Sequence, residues 1–138
     1  MTPTRIQLSR AKGWRLPPDT VHVARPSRWG NPFISSEVHP HGQAEIVLAS
    51  GIRMLVDDWW SAETVVQLYS DWMRGRPLLD PASADGKLLV RRQLLAPVPD
   101  ALQLLGKHLA CWCKPGTPCH ADVLLRINAE LSGPGRRR

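Results

Sequence analysis

The sequence predicts a small single-domain α/β protein in which helices cover a Rossmann-like layered sheet. Its 138 residues suit one domain that is large enough to bury a core. Short apolar and β-branched segments alternate with helical patterns along the chain, which is typical of layered α/β domains. The apolar and charged fractions, 43% and 22%, are those of an ordinary globular protein.

No part of the sequence predicts a membrane segment. No apolar run approaches the roughly 20 residues that a membrane span needs, and the N-terminal stretch Met1–Gln7 lacks a hydrophobic signal pattern. We therefore expect a cytoplasmic protein whose thiols stay reduced. The odd number of cysteines, three, also argues against a simple disulfide framework.

The net charge of +6 is concentrated at the two ends of the chain. We predict a basic, irregular N-terminal segment at residues 1–18, a single α/β domain at residues 19–133, and a basic C-terminal tail at residues 134–138. The cations of residues 1–28, opposed by Asp19 alone, are Arg5, Arg10, Lys12, Arg15, Arg25 and Arg28. Basic ends favour phosphate or nucleic acid as a partner, and solubility is the alternative explanation.

The first half of the domain reads as strands and loops. The segment Asp19–Ala24 alternates and is rich in β-branched residues, which predicts a strand. The stretch Arg25–Phe33 contains a glycine and two prolines and is predicted as a loop. We predict an inserted β-hairpin from Ala44–Leu48 and Ile52–Val56, with a helix as the alternative because their apolar residues also fit a helical period.

Helical patterns follow the hairpin. Ser61 is a predicted N-cap, and an apolar stripe then continues to Gly75. Residues 75–86 read as a loop. We predict a second helix at Lys87–Leu95 and a short third one at Pro99–Leu105.

The last part of the domain combines a strand, a turn and a helix. His108–Cys113 is a short apolar run, which indicates a buried, central strand. Lys114–Pro118 contains two prolines and is predicted as a stiff turn. Ala121–Leu131 has one apolar face and is predicted as the final helix, ended by Gly133-Pro134.

All three cysteines lie where this strand leads into this helix. Cys111 and Cys113, at positions i and i+2 of a strand, are expected to face the same way. Cys119 falls where the helix begins, and free backbone N–H groups together with the helix dipole lower the pKa of a thiol there. We therefore predict Cys119 as the nucleophile, with His120 and Asp122 as further catalytic residues.

Two other interpretations of this segment stay open. Cys111, Cys113, Cys119 and His120 form a Cys3His set, which is a metal-ligand chemistry that suits zinc; an iron–sulfur cluster is a less favoured variant. The spacing differs from that of the usual zinc ribbon. Alternatively, the cysteines are small buried hydrophobes without chemistry.

The loop after the first predicted strand offers groups suited to a nucleotide. Arginine binds phosphate, tryptophan stacks on a base, an amide matches a base edge, and glycine permits close approach. The predicted ligand-binding residues are Arg25, Ser27, Arg28, Trp29, Gly30 and Asn31. If the two strands are parallel, this loop and the cysteine segment open on one rim of the sheet. A rigid turn whose tryptophan packs on the core is the alternative.

These segments resemble a known family. Arg25–Phe33, Leu109–Cys113 and Pro118–Leu125, supported by Arg10–Pro17 and Leu68–Trp72, are similar to small bacterial and phage proteins known only as the domain of unknown function numbered 4326. That resemblance implies no established activity, and phage occurrence links it to nucleic-acid metabolism by association only. The Cys-His pair after a strand is also similar to an uncharacterised family numbered 488, which implies a Rossmann-like fold.

We therefore expect a protein that binds or processes a nucleotide, nucleoside or nucleic acid at a joint Cys/His and Arg/Trp/Asn site. The alternative is a non-catalytic nucleic-acid-binding module with a Cys3His structural metal site. The sequence contains no hydrolase triad, P-loop or dinucleotide fingerprint. Whether the protein is an enzyme, and in which oligomeric state it exists, cannot be read from these residues.

Overall fold

The computed structural model describes residues 2–133, so the tail predicted at residues 134–138 lies outside the described residues. The chain divides into two compact units, Met1–Gly30 with Asp100–Arg138 and Asn31–Pro99. The described strands and helices, in chain order, are β1 (Arg5–Gln7), β2 (Thr20–His22), β3 (Phe33–Ile34), β4 (Ala44–Val47), β5 (Arg53–Val56), α1 (Ala62–Met73), β6 (His108–Cys111) and α2 (His120–Ser132). A mixed α/β fold is confirmed, while Rossmann-like layering and the single-domain boundaries stay predictions.

The sheet of the first unit is parallel and has the order β1-β6-β2. The prediction of a buried central strand at β6 is confirmed, because Leu109, Ala110 and Cys111 are fully buried there. The ladder continues past the strand ends, since Leu8 N–H donates to Cys111 O at 2.8 Å and Val23 N–H donates to Ala110 O at 2.9 Å. All three strands therefore end at the same edge of the sheet.

The prediction that residues 1–18 are irregular is wrong for β1. The three residues Arg5, Ile6 and Gln7 pair in parallel with Leu109–Cys111 of β6. A strand this short, with a single apolar residue, has no recognisable alternation of its own. Its conformation is imposed by the neighbouring strand, which is a tertiary effect that local propensity does not contain.

The predicted final helix is confirmed as α2, which packs against β6 and β1. Its inward face consists of Ala121, Val123, Leu124 and Ile127. The short helix predicted at Pro99–Leu105 is present as a 3-10 helix at Ala101–Leu104. Among the described residues, no helix is both long and apolar enough to cross a membrane.

The second unit contains an antiparallel sheet of order β3-β4-β5. The predicted hairpin is confirmed, because β4 and β5 pair from Ala44 with Val56 to Val47 with Arg53. Helix α1 is confirmed as well, with its N-cap at Ser61, whose Oγ accepts a hydrogen bond from Thr64 N–H at 3.1 Å. The core of this unit includes the rings of Phe33, Trp60, Tyr69 and Trp72.

The helix predicted at Lys87–Leu95 is wrong. Leu88 forms an isolated antiparallel bridge with Leu79, and a single 3-10 turn occupies Arg92–Leu94. The guanidinium of Arg92 donates to the carbonyl oxygens of Trp72 and Asp71 at 2.8 and 3.3 Å, at the end of α1. Pairing of this segment with distant backbone therefore overrides its local helical pattern.

Candidate functional site

The three cysteines of the first unit converge. Cys111 is the last residue of β6, Cys113 follows two residues later, and Cys119 is the N-cap of α2. Their Sγ atoms all lie within 4.8 Å of one another, and those of Cys111 and Cys119 are 3.1 Å apart. We call these residues the cysteine cluster; none of them is in a disulfide. Trp112 points away and is 40% exposed, which agrees with the predicted strand geometry.

A single arginine holds the turn that closes the cluster. The guanidinium of Arg5 donates to Thr117 O at 3.0 Å, to Lys114 O at 2.9 Å and to Asp122 Oδ2 at 2.8 Å. The Arg5 side chain is 12% exposed. These bonds fix the turn between Cys113 and Cys119 against β1. Sequence reasoning missed Arg5, because its partners lie 109 to 117 residues away and no local pattern connects them.

Asp122 lies in the first turn of α2, where a carboxylate complements the helix dipole. Its observed partner is Arg5, at 2.8 Å, and its side chain is 46% exposed. The structure therefore gives Asp122 a role in positioning the turn. The catalytic role proposed for it from the sequence stays a prediction.

His120 is oriented by the loop that follows β2. Its Nε2 donates a hydrogen bond to Val23 O at 2.7 Å, and its Nδ1 lies 3.9 Å from Cys119 Sγ. Since a carbonyl oxygen only accepts, Nε2 carries the proton and Nδ1 carries the lone pair in the neutral ring. Burial lowers the pKa of His120, and the positive charge of Arg25 acts in the same direction. The hydrogen bond to Val23 O therefore places His120 beside the end of β2.

The thiol electrostatics differ from the sequence-based expectation. Hydrogen bonds from Cys111 and then Cys119 lower the pKa of Cys113, so Cys113 is the cysteine of the cluster that ionises most readily. The pKa of Cys119 is raised, mainly by its hydrogen bond with Cys111. The hydrogen bond with Cys113 and burial raise it further. The hydrogen bond with Cys113 is the main cause that raises the pKa of Cys111.

The expectation of a lowered pKa at Cys119 is therefore wrong. The helix start does act as expected, because a backbone hydrogen bond from Ala121 lowers the pKa of Cys119. That contribution is outweighed by the two neighbouring sulfurs and by burial, since Cys119 is only 2% exposed. Cys113 is half-buried, whereas Cys111 and Cys119 are buried.

The loop after β2, which begins at Arg25 and was predicted to bind a ligand, is a tight turn and not an open binding site. Trp29 is 4% exposed, so its ring is buried and is not presented to a ligand. The hydroxyl of Ser27 accepts from Trp29 N–H at 3.3 Å. A Cβ on Gly30 would lie 2.8 Å from Arg25 Cγ and 3.0 Å from Arg25 Cα. Gly30 therefore admits the backbone of Arg25, where the sequence suggested approach of a ligand.

Asn31 belongs to the second unit. Its Nδ2 donates to Val65 O at 3.0 Å, and its Oδ1 accepts from Phe33 N–H at 2.9 Å. The side chain is buried and holds the backbone of that unit. The role of base recognition, predicted from the sequence, has no support in these contacts.

The edge where the parallel strands end is rich in exposed cations. Loops that follow β1, β2 and β6 carry them, and we call this set the basic rim: Arg10, Arg25, Arg28 and Lys114. Arg28 lies 5.1 Å from the centroid of the Trp29 ring and donates to Gln103. The guanidinium of Arg10 lies 4.3 Å from the ring centroid of Trp112. The partly exposed aromatic ring of the rim is thus Trp112, which sequence reasoning did not select.

The cysteine cluster could hold a metal ion. Three sulfurs within 4.8 Å of one another are soft ligands of the type that zinc and other thiophilic metals prefer. His120 is not part of that group of mutually close atoms. Its proton-bearing Nε2 is nevertheless bonded to a backbone carbonyl, as is usual for ligating histidines.

Comparison with known proteins places the chain in one family. The family model described as "Domain of unknown function (DUF4326)" matches residues 6–130. No curated protein and no solved structure matches the chain. The matched range contains β2, β6, most of β1 and most of α2, so it includes the cysteine cluster and the basic rim, and it begins one residue after Arg5.

Proposed function

The chain belongs to the family of the domain of unknown function DUF4326, and we propose that its first unit binds a nucleotide or single-stranded nucleic acid at the basic rim. The observation that carries this proposal is the convergence of three loops at the ends of parallel strands. The sequence predicts a Rossmann-like layering, and ligands of such sheets bind at the edge where the parallel strands end. Rim cations supply the attraction for phosphate.

The charge balance at this edge supports a polyanionic ligand. Asp122, the carboxylate nearest the cysteine turn, is already neutralised by Arg5. Asp19 pairs with Lys107 at 3.8 Å, just before β2 and β6 begin, and so belongs to the opposite edge. The ring of Trp112 offers a stacking surface next to Arg10. Stacking of one base on an aromatic side chain contributes about 1–3 kcal/mol.

Fluorescence anisotropy with a labelled oligothymidylate tests the proposal on the full chain. We expect the double variant Arg10→Gln/Lys114→Gln to bind at least tenfold more weakly than the wild type. Each lost cation should also reduce the slope of log affinity against log salt by about 0.7. The matched control is Lys107→Gln, an exposed cation at the other end of the same sheet, which should change affinity less than twofold.

Two results would contradict the proposal: an equal loss in the control, or a wild type that neither binds the oligonucleotide in a salt-dependent way nor is stabilised by a mononucleotide. A parallel thermal-shift experiment with adenosine monophosphate separates the two ligand classes, since a ligand that binds the native state raises the melting temperature. Stabilisation by the mononucleotide without binding of the oligonucleotide would identify a nucleotide site.

A second candidate function is favoured by the three converging sulfurs. In it, Cys111, Cys113 and Cys119 hold a structural zinc ion, with Nδ1 of His120 as the fourth ligand. Such an ion would join the end of β6 to the start of α2, and the unit would be a non-catalytic binding module. Elemental analysis of the untagged protein should then find zinc that the variant Cys113→Ser lacks.

The variant Cys113→Ser separates the two roles of the cluster. If zinc is structural, the variant should lose both the metal and several kcal/mol of folding stability, because the metal-binding free energy contributes to folding. Metal-free wild-type protein with Cys113 alkylated rapidly at neutral pH would exclude the structural ion and retain a thiolate for chemistry.

A further inference from the structure

We infer that the second unit holds a divalent transition-metal ion at the side chains of His39, His41 and Glu45, which we call the histidine–glutamate site. Their ligand atoms all lie within 4.8 Å of one another. Two imidazoles and a carboxylate form the donor set of many catalytic zinc sites and of the 2-His-1-carboxylate iron sites. Three protein ligands leave a coordination position for water or a small anion.

The fold fixes the carboxylate of this site firmly. Glu45 lies on β4, the central strand of its sheet, and is paired with Ile34 of β3 and Leu55 of β5. It is 8% exposed, which is unusual for a charged residue. A buried carboxylate requires a positive partner or hydrogen-bond donors to offset its lost hydration. The position therefore calls for a cation close to its oxygens.

The polar atoms around Glu45 lack ordinary partners. His39 Nε2 and Glu45 Oε1 are both buried without a hydrogen-bond partner among the described residues. His39 Nε2 lies 3.4 Å from Glu45 Oε2. Ligands arranged tetrahedrally around zinc at about 2.1 Å are themselves separated by about 3.4 Å. The observed separation, which an ion pair between the two side chains would also have, fits two ligands of one ion.

The second histidine is supplied by the same short loop. The rings of His39 and His41 are stacked, with centroids 4.8 Å apart and planes at 13°. His41 Nδ1 accepts a hydrogen bond from Gln43 N–H at 3.2 Å. Because this contact is exposed, water can replace it when the imidazole turns to bind the ion.

One cation competes for the carboxylate. Arg53 Nη1 lies 3.7 Å from Glu45 Oε1, beyond hydrogen-bond distance, and the Arg53 side chain is 58% exposed. Only the arginine end of this long pair is exposed, and solvent screening there weakens the attraction. Arg53 can therefore rotate into solvent when a metal ion takes its place. Removal of this arginine should strengthen metal binding.

Calorimetric titration of the untagged full chain with Zn²⁺ tests the site. We expect His41→Ala and Glu45→Gln each to weaken one binding event at least tenfold. Arg53→Gln should tighten the same event. The control His22→Gln, which removes an exposed histidine of β2, should leave the titration unchanged. His41 is exposed, so its variant is expected to fold even if Glu45→Gln does not.

Titration with Co²⁺ distinguishes this site from the cysteine cluster. Thiolate ligands give an intense sulfur-to-metal charge-transfer absorption, whereas imidazole and carboxylate ligands give only weak visible bands. After alkylation of the thiols, one equivalent of Co²⁺ should still bind with the weak bands, and His41→Ala should abolish it. Identical titrations of His41→Ala and His22→Gln, or no binding after alkylation, would overturn the inference.

Discussion

The two units assemble their ligand-type side chains in opposite ways. The cysteine cluster combines the end of β6, the start of α2 and a turn that Arg5 holds from β1. The histidine–glutamate site draws all three of its residues from a stretch of seven. The first depends on contacts more than 100 residues apart, and the second depends on one loop and one strand.

The two sites also differ in how fully their polar atoms are satisfied. Around the cysteine cluster, the guanidinium of Arg5 has three acceptors, and His120 donates to Val23 O. In the second unit, His39 and Glu45 each bury an atom without a hydrogen-bond partner. A satisfied network is preorganised before any ligand arrives, whereas unsatisfied buried atoms are stabilised only when one binds. The difference predicts unequal responses to mutation.

The largest expected effect distinguishes the two arginines. Arg5→Leu should lower the free energy of unfolding by about 2–3 kcal/mol, because it leaves two loop carbonyls and a partly buried carboxylate unpaired. Arg53→Leu should change it by no more than about 0.5 kcal/mol, since the side chain is 58% exposed and its ion pair is long. Urea denaturation of both variants measures the contrast.

A second measurement tests whether Arg5 acts through the turn. Alkylation of Cys119, which is buried in the wild type, should accelerate in Arg5→Leu because the turn before it is released. The control Arg126→Leu, an exposed position on α2, should affect neither stability nor alkylation. Equal stability losses for the Arg5 and Arg53 variants would refute the contrast between the units.

The sequence predicted the elements that carry a local pattern and missed those that depend on distant contacts. Helix α1 with Ser61, the hairpin of β4 and β5, and the central strand β6 were predictable, because each carries its own period or cap. β1 was not, since its pairing partner lies about a hundred residues away. The segment Lys87–Leu95 was mispredicted as a helix because its backbone bridges to Leu79 and the side chain of Arg92 binds a carbonyl oxygen at the end of α1.

The candidate sites show the same limit at the level of side chains. The convergence of Cys111, Cys113 and Cys119 was foreseeable from strand and helix geometry. Which sulfur becomes the thiolate was not, because the pKa of each thiol depends on distances between the three. The burial of Trp29 could not be predicted either, because its sequence surroundings fit a ligand-binding loop and a packed turn equally well.

The next effect concerns the pH dependence of the first unit after metal has been removed by chelation. The pKa of His120 is lowered by burial from an ordinary value of 6.5. Below about pH 6.5 the unfolded chain therefore binds a proton that the folded chain excludes, and stability falls as the pH falls toward the folded pKa. Between pH 7.5 and 5.5 the loss is at most about 1.4 kcal/mol.

Thermal denaturation at these two pH values measures that loss. His120→Gln should reduce the difference between them, because its amide still donates to Val23 O and does not titrate. The variant His22→Gln, exposed on β2, serves as the control and should retain the wild-type difference. A wild-type slope that survives His120→Gln would assign the pH dependence to other groups.

The smallest expected effect compares the N-caps of the two helices. At α1 the cap is Ser61, whose hydroxyl accepts a hydrogen bond from Thr64 N–H. At α2 the cap is Cys119, whose side chain makes no capping hydrogen bond. Serine is a preferred N-cap residue, and its replacement by alanine typically costs about 1 kcal/mol. Cys119 therefore lacks the stabilising cap bond that a serine would make at the start of α2, while its sulfur belongs to the cysteine cluster.

The variant Cys119→Ser tests this trade. The hydroxyl gains the cap bond but is buried where a sulfur packed, so the two effects offset each other and stability should change by less than about 1 kcal/mol. Ser61→Ala, which only loses a cap, should cost about 1 kcal/mol. If Cys119→Ser folds normally and yet binds less metal or ligand, the role of the cysteine is in binding. If the variant loses several kcal/mol of stability without a change in binding, the role of the sulfur is in core packing.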